Sequence, residues 1–115
     1  MVLIKRAYSK SSPRDGVRIL VDRVWPRGIS KHRARIVEWR KDLAPSMALR
    51  KWFGHDTARW IEFRRRYRTE LKRSKGELEK LARLSSKQTI TLVYGAADEE
   101  HNQALVLKEL IDELV

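Results

Sequence analysis

Apolar positions along the chain change period several times, and each change marks an expected element. Residues 2–7, Val-Leu-Ile-Lys-Arg-Ala, are short and rich in β-formers, and Ser11-Ser12-Pro13-Arg14-Asp15-Gly16 behind them has turn chemistry, which predicts a strand and then a loop. Val17-Arg18-Ile19-Leu20-Val21 predicts a second strand, apolar on both faces near its end, as strands buried in parallel or mixed sheets are. It runs into Asp22-Arg23-Val24-Trp25-Pro26-Arg27-Gly28. Pro26 and Gly28 exclude regular structure there, so these charged side chains fall on a loop at the carboxyl end of the strand.

Ser30 is placed to cap a helical turn through Arg35, and Ile36–Arg40 fits either a helix or a third strand, with strand favoured. Ser46, after Ala44-Pro45, is a good N-cap for a helix through Phe53 that Gly54 stops. Asp56 or Thr57 caps the most regular helix, in which Trp60, Phe63, Tyr67 and Leu71 recur at three- and four-residue spacing along one face. Gly76 is a candidate break, beyond which Leu78, Leu81, Ala82 and Leu84 resume a stripe to about Ser85. Thr89–Tyr94 is a strand by its β-branched content, ended by Gly95, and a last helix is expected from about Glu99 to Leu114 with Asp98 as N-cap. Strands alternating with helices predict an α/β fold: a small, mostly parallel sheet of three or four strands flanked by helices, in one domain over residues 1–115.

Composition narrows the chemistry. Apolar residues make up 42% of the 115, enough for a packed core. The chain has no cysteine, which excludes disulfides, thiolate catalysis and thiolate metal sites. His32, His55 and His101 lack metal-ligand spacing, so no metal is expected, and no cofactor motif or glycine-rich phosphate loop is present, so no cofactor is expected either. The start of the chain meets charge after three apolar residues, too few for a secretory signal, and no apolar run has membrane-spanning length; a cytoplasmic protein without membrane contact is expected. The net charge is +11, but residues 88–115 carry one Lys against six acids, so the excess of cations lies in the rest of the chain. A basic body of this kind favours phosphate-rich or acidic partners, and equally favours solubility.

Ligands of open α/β sheets bind beyond the carboxyl ends of the strands. Two loops qualify here, residues 22–28 and residues 95–102. If their strands are parallel neighbours, Asp22, Arg23, Trp25 and Arg27 converge with Tyr94, Asp98, His101 and Asn102 on one rim. Such a rim combines guanidinium forks for phosphate or carboxylate with a histidine able to move protons. Arg23, Arg27 and Arg50 are the candidate anion contacts, and His101, Asp98 and Tyr94 the candidates for acid/base work. Ser46 at a helix N-terminus and His55 just past the same helix complete the ligand-binding set. Each has a plainer reading. Asp22 and Arg23 can form a structural ion pair, Trp25 can pack as a lid, Ser46 can only cap, His55 can complement a helix end, and Asn102 can be solvated. The expected function is binding of a phosphate- or carboxylate-bearing small molecule, with acid/base chemistry as an open addition.

The alternative is a non-enzymatic module that binds nucleic acid or a partner through the Arg-rich helix 57–73. Clustered cations there, including Arg59, Arg64, Arg65, Arg66, Arg68, Lys72 and Arg73, can neutralise phosphates. Arg65, Arg68 and Lys72 fall opposite the apolar stripe, as on any solvated amphipathic helix.

Several of these segments carry a resemblance. Asp15-Gly16 with Val21-Asp22-Arg23-Val24-Trp25-Pro26-Arg27-Gly28, Leu43-Ala44-Pro45-Ser46, Leu49-Arg50-Lys51-Trp52-Phe53-Gly54-His55, and Leu92-Val93-Tyr94 with Asp98-Glu99-Glu100-His101-Asn102 together resemble the YeaO-like family, within the domain-of-unknown-function (DUF) family 488. The resemblance spans nearly the whole chain. It implies a compact α/β domain like those of small bacterial or archaeal proteins and assigns no reaction. Some members of the larger family bear cysteine, and any thiol role in them does not transfer to this chain.

Overall fold

A computed structural model describes all 115 residues. Four strands, β1 (Val2–Arg6), β2 (Val17–Leu20), β3 (Glu38–Trp39) and β4 (Ile90–Tyr94), form one all-parallel sheet in the order β1-β4-β2-β3. The helices are α1 (Lys31–Ala34), α2 (Met47–Phe53), α3 (Trp60–Leu71), α4 (Lys75–Lys87) and α5 (Gln103–Glu113). The small α/β fold with a mostly parallel sheet is therefore what the chain adopts, and the weakly patterned Ile36–Arg40 segment contributes only the two-residue β3 on the edge.

β4 is buried at every residue because it lies between β1 and β2, and a strand covered on both faces reads as a continuous Ile-Thr-Leu-Val-Tyr run rather than an alternation. Its side chains still divide between two layers. On one face Ile19, Ile90, Leu92 and Tyr94 join the main core under α2 to α5, where Phe63, Tyr67 and Leu71 deliver the apolar stripe of α3. On the other face Leu20 and Val93 pack against Ala7, Ala34 and Ile36, a smaller cluster covered by loops and by α1. Tyr67 is wholly buried and donates its hydroxyl to the Leu43 carbonyl, which fastens α3 to the chain entering α2.

Two element ends differ from the sequence expectation. The break between α3 and α4 comes at a tight 3-10 turn over Lys72–Ser74, and Gly76 lies inside α4 with open space around it. The last helix starts at Gln103, not near Glu99, because Asn102 and not Asp98 is its N-cap: the Asn102 carboxamide oxygen accepts from Leu105 N–H at 3.3 Å. Asp98 caps a preceding turn instead, accepting from the N–H groups of Glu100 and His101. Both residues suit a cap, and sequence pattern does not decide between them.

On the loop-covered face the sheet buries an ion cluster. Arg18 is 2% exposed and donates one terminal nitrogen to Asp15 at 2.7 Å and Nε to the Ala34 carbonyl at 2.7 Å, while its other terminal nitrogen has no protein partner. Burial alone would raise the Asp15 pKa, but donation from Ser12 N–H, Lys5 and Arg18 outweighs it and holds the carboxyl below its ordinary value. The stability this carboxylate contributes is present above the ordinary Asp pKa and is lost as pH falls through the lowered one. Replacing Asp15 with Asn strands the Arg18 guanidinium in the interior, and urea unfolding at neutral pH is expected to show a loss of about 3–5 kcal/mol.

Candidate functional site

β2 and β4 are parallel neighbours, with Ile19 opposite Leu92 and Leu20 opposite Val93, and the Val21 N–H donates to the Val93 carbonyl at 3.0 Å beyond the last paired residues. This register sets the loop after β2 beside the loop after β4. The two are joined directly: the Asp22 carboxylate accepts from the Gly95 N–H at 2.9 Å and from the Gln103 side-chain amide. A Cβ on Gly95 would stand 2.7 Å from the Asp22 carboxylate and 3.3 Å from Pro26, so the absence of a side chain at 95 lets the loops close.

Beside this junction lies a cavity of about 370 Å³, within the size range of small-molecule sites. Asp22, Arg23, Trp25 and Arg27 line it from the β2 loop, Arg50 and His55 from α2 and its end, and His101 and Asn102 from the β4 loop. Tyr94, Asp98 and Ser46 are not among its lining residues. Tyr94 packs in the main core, where burial raises its phenol pKa. Ser46 caps α2 by accepting from Leu49 N–H, and its own N–H and hydroxyl both donate to Glu70 of α3, at 2.9 and 2.6 Å. The anion at that helix start is thus a side chain of the protein itself.

The cations of the cavity are not equivalent. Arg23 is spent on the backbone, donating to the carbonyls of Pro45 at 2.9 Å and Ala44 at 3.3 Å, which pins the α2 entrance to the β2 loop. Arg27 and Arg50 are exposed, with no carboxylate within 4.0 Å of either guanidinium. His101 sits one residue before the α5 cap, where Asp98 holds Nδ1 at 2.9 Å and leaves Nε2 free, and the ring meets Trp60 edge-on. The Glu100 N–H, together with His101, keeps Asp98 below the ordinary carboxylate pKa. Trp25 lines the cavity and also closes its own loop by donating to the Ile29 carbonyl at 2.6 Å. Asn102 is 2% exposed and serves as a cap, its side-chain amide also donating to the Asp98 carbonyl at 3.0 Å. No group of three or more His, Asp or Glu side chains comes together as metal ligands.

His55 follows Gly54, and both are left-handed, at φ +58° and +51°. Gly54 ends α2 without strain, but a histidine in that region carries a cost that glycine would avoid. Among non-glycine residues only His55 and Arg35 adopt positive φ. Sequence reading did not find Tyr8, Gln103, Phe53 and Phe63 as cavity residues. Phe53 and Phe63 were legible only as core, Gln103 gave no signal as one more polar residue on a helix, and Tyr8 lies in a loop far from every motif.

A family model described as the inactive DUF488-N3 subclade matches residues 1–115. The chain is 42% identical over 110 residues to the uncharacterized protein YeaO of Escherichia coli K12, covering 96% of each. It is 40% identical over 111 residues to the uncharacterized proteins Rv3073c of Mycobacterium tuberculosis H37Rv and Mb3100c of Mycobacterium bovis, covering 96% of this chain and 93% of theirs. No solved structure matches.

Asp22 is the acid the cavity perturbs most. Burial raises its pKa from 3.8 to about 6, against the opposing pull of Gly95 N–H, Gln103 and Arg50. A carboxyl raised in the folded state stabilises the fold below its unfolded pKa, and that contribution disappears as pH climbs through the folded one. The stability difference between the protein and its Asp22→Asn variant, in which the Gln103 amide can turn to keep its bond, should therefore shift by about 2–3 kcal/mol between pH 3.8 and pH 6. Urea unfolding across that window checks it. Gly95→Ala should cost about 1–3 kcal/mol through overpacking, read from the same melts.

Proposed function

The chain belongs to the DUF488 family, in the subclade described as inactive, and from that premise we propose that it is a non-catalytic receptor for a small phosphate- or carboxylate-bearing molecule. The observation that carries this reading is the pair of exposed, unpaired guanidiniums, Arg27 and Arg50, in a cavity whose one carboxylate, Asp22, is held by Gly95 and Gln103 and pushed up to about 6. Arginine forks of this kind recognise phosphate and carboxylate with paired, charge-assisted hydrogen bonds. His55, accepted in a strained backbone conformation at the cavity wall, belongs to the same recognition set.

Binding without turnover fits the chemistry of the neighbouring side chains. Ser46 is held by Glu70, and Tyr67 and Tyr94 are buried with raised pKa values, so none is an available nucleophile. The Asp98–His101 pair has the geometry of an oriented base but has no such nucleophile to activate. The alternative of nucleic-acid binding through helix 57–73 is disfavoured because five of its six arginines pair with carboxylates, Arg59 with Asp56 among them. Arg64 and Arg68 pair with Glu109, Arg68 also with Glu113 at 3.0 Å, and Arg65 and Arg66 both with Glu62 at 2.7 Å. The acidic last helix supplies two of these partners, Glu109 and Glu113. No helix is long and apolar enough to cross a membrane.

Inorganic phosphate and nucleoside monophosphates are expected to raise the melting temperature, with saturation at about 100 times Kd adding about 2.7 kcal/mol of stability. Arg50→Gln should weaken that binding about ten- to a hundredfold, the range for a lost charge-assisted bond, while Arg65→Gln should leave it unchanged. Equal protection of the wild type and of an Arg27→Gln, Arg50→Gln double variant would rule the cavity out.

A further inference from the structure

Another hollow lies on the loop-covered side of the sheet. It is an open groove of about 1380 Å³ between residues 7–11 and residues 28–37, larger than the roughly 300–1,000 Å³ of small-molecule pockets. Its fifteen lining residues include Lys10, Lys31, Arg33 and Arg35 and not one Asp or Glu. All four cations are exposed, with no carboxylate within 4.0 Å. The wider stretch from Lys5 to Val37 holds ten Lys and Arg against two acids, Asp15 and Asp22, and both acids are committed inside the fold.

Two further features separate this groove from an ordinary solvated basic face. Arg35 ends α1 in the left-handed region at φ +52°, where glycine is the unstrained choice, and it directs a cation to the groove wall. Tyr8, with nearly half its surface exposed, lines both hollows and donates its hydroxyl to the Arg27 carbonyl at 2.8 Å, so it stands where groove and cavity meet. Exposed aromatic rings beside a track of cations are the elements that hold single-stranded nucleic acids, the ring for a base and the cations for successive phosphates.

We propose that this groove binds the backbone of a single-stranded nucleic acid, with Lys10, Lys31, Arg33 and Arg35 on the phosphates and Tyr8 as the stacking surface. A recessed channel between two loops admits a flexible strand better than a rigid duplex. The site is distinct from Arg50 and His55 and does not depend on the small-anion reading of the cavity.

Fluorescence anisotropy with short labelled oligothymidylate and oligouridylate is the test, the two probes separating DNA from RNA. Four phosphate contacts to a single strand give a slope near −2.8, so a fourfold rise in salt should weaken binding about fiftyfold. Lys31→Gln with Arg33→Gln and Arg35→Gln should abolish binding while the melting temperature is retained. Arg35→Gly should weaken binding without lowering the melting temperature, whereas a purely structural Arg35 would show no binding loss. The proposal is overturned if neither oligonucleotide binds at low salt, if Arg65→Gln with Arg66→Gln removes binding as fully as the groove variant, or if an oligoglutamate peptide or a duplex competes as well as the single strand.

Discussion

The pairing of β2 with β4 governs what this protein can present to a ligand. Both strands run in one direction, so both end at the same rim, and Leu20 opposite Val93 places Asp22 against Gly95. A shift of one residue would exchange the layers facing α3 and α1 and separate the carboxylate from its backbone donor. The arrangement is also held from outside the sheet, by Gln103 on the Asp22 carboxylate and by Arg23 on the carbonyls before α2. The cavity is consequently built on loops that are pinned to the sheet ends and to one another, an arrangement that holds its walls in place without a ligand.

Arginine is used here in opposed ways. Arg18 is an interior strut, Arg23 clamps backbone, and the arginines of α3 are laced to Glu62, Glu109 and Glu113. These groups count in the net charge but offer little to a ligand. Arg27, Arg33, Arg35 and Arg50 lack such partners and face hollows. Local spacing reveals only part of this difference: Glu62 sits three and four residues from Arg65 and Arg66, but the partners of Arg64 and Arg68 come from α5, some forty residues away in sequence.

Much of the fold was legible because it rests on local periodicity: β4 from its apolar run, α3 from Trp60 to Leu71, α2 from Ser46 to Gly54. The convergence of residues 22–28 and 95–102 was legible as a conditional, since a strand–loop pattern shows where each loop lies and not which strands are neighbours. What escaped was long-range. Nothing local marks Gln103 as the partner of Asp22, Glu70 as the partner of Ser46, or Tyr8 as a shared wall. The start of α5 was misplaced for a different reason, two competent caps, Asp98 and Asn102, four residues apart.

The sheet divides these uses of charge in space. α3 and α5 lie over one face, where several of their ionised groups pair with one another, and the groove lies over the other, where Lys10, Lys31, Arg33 and Arg35 have no carboxylate partner. A molecule with partly compensated charge behind and unpaired charge in front experiences a torque near any anionic body. It should turn its groove forward before touching, a bias in orientation that dissolved salt would progressively remove.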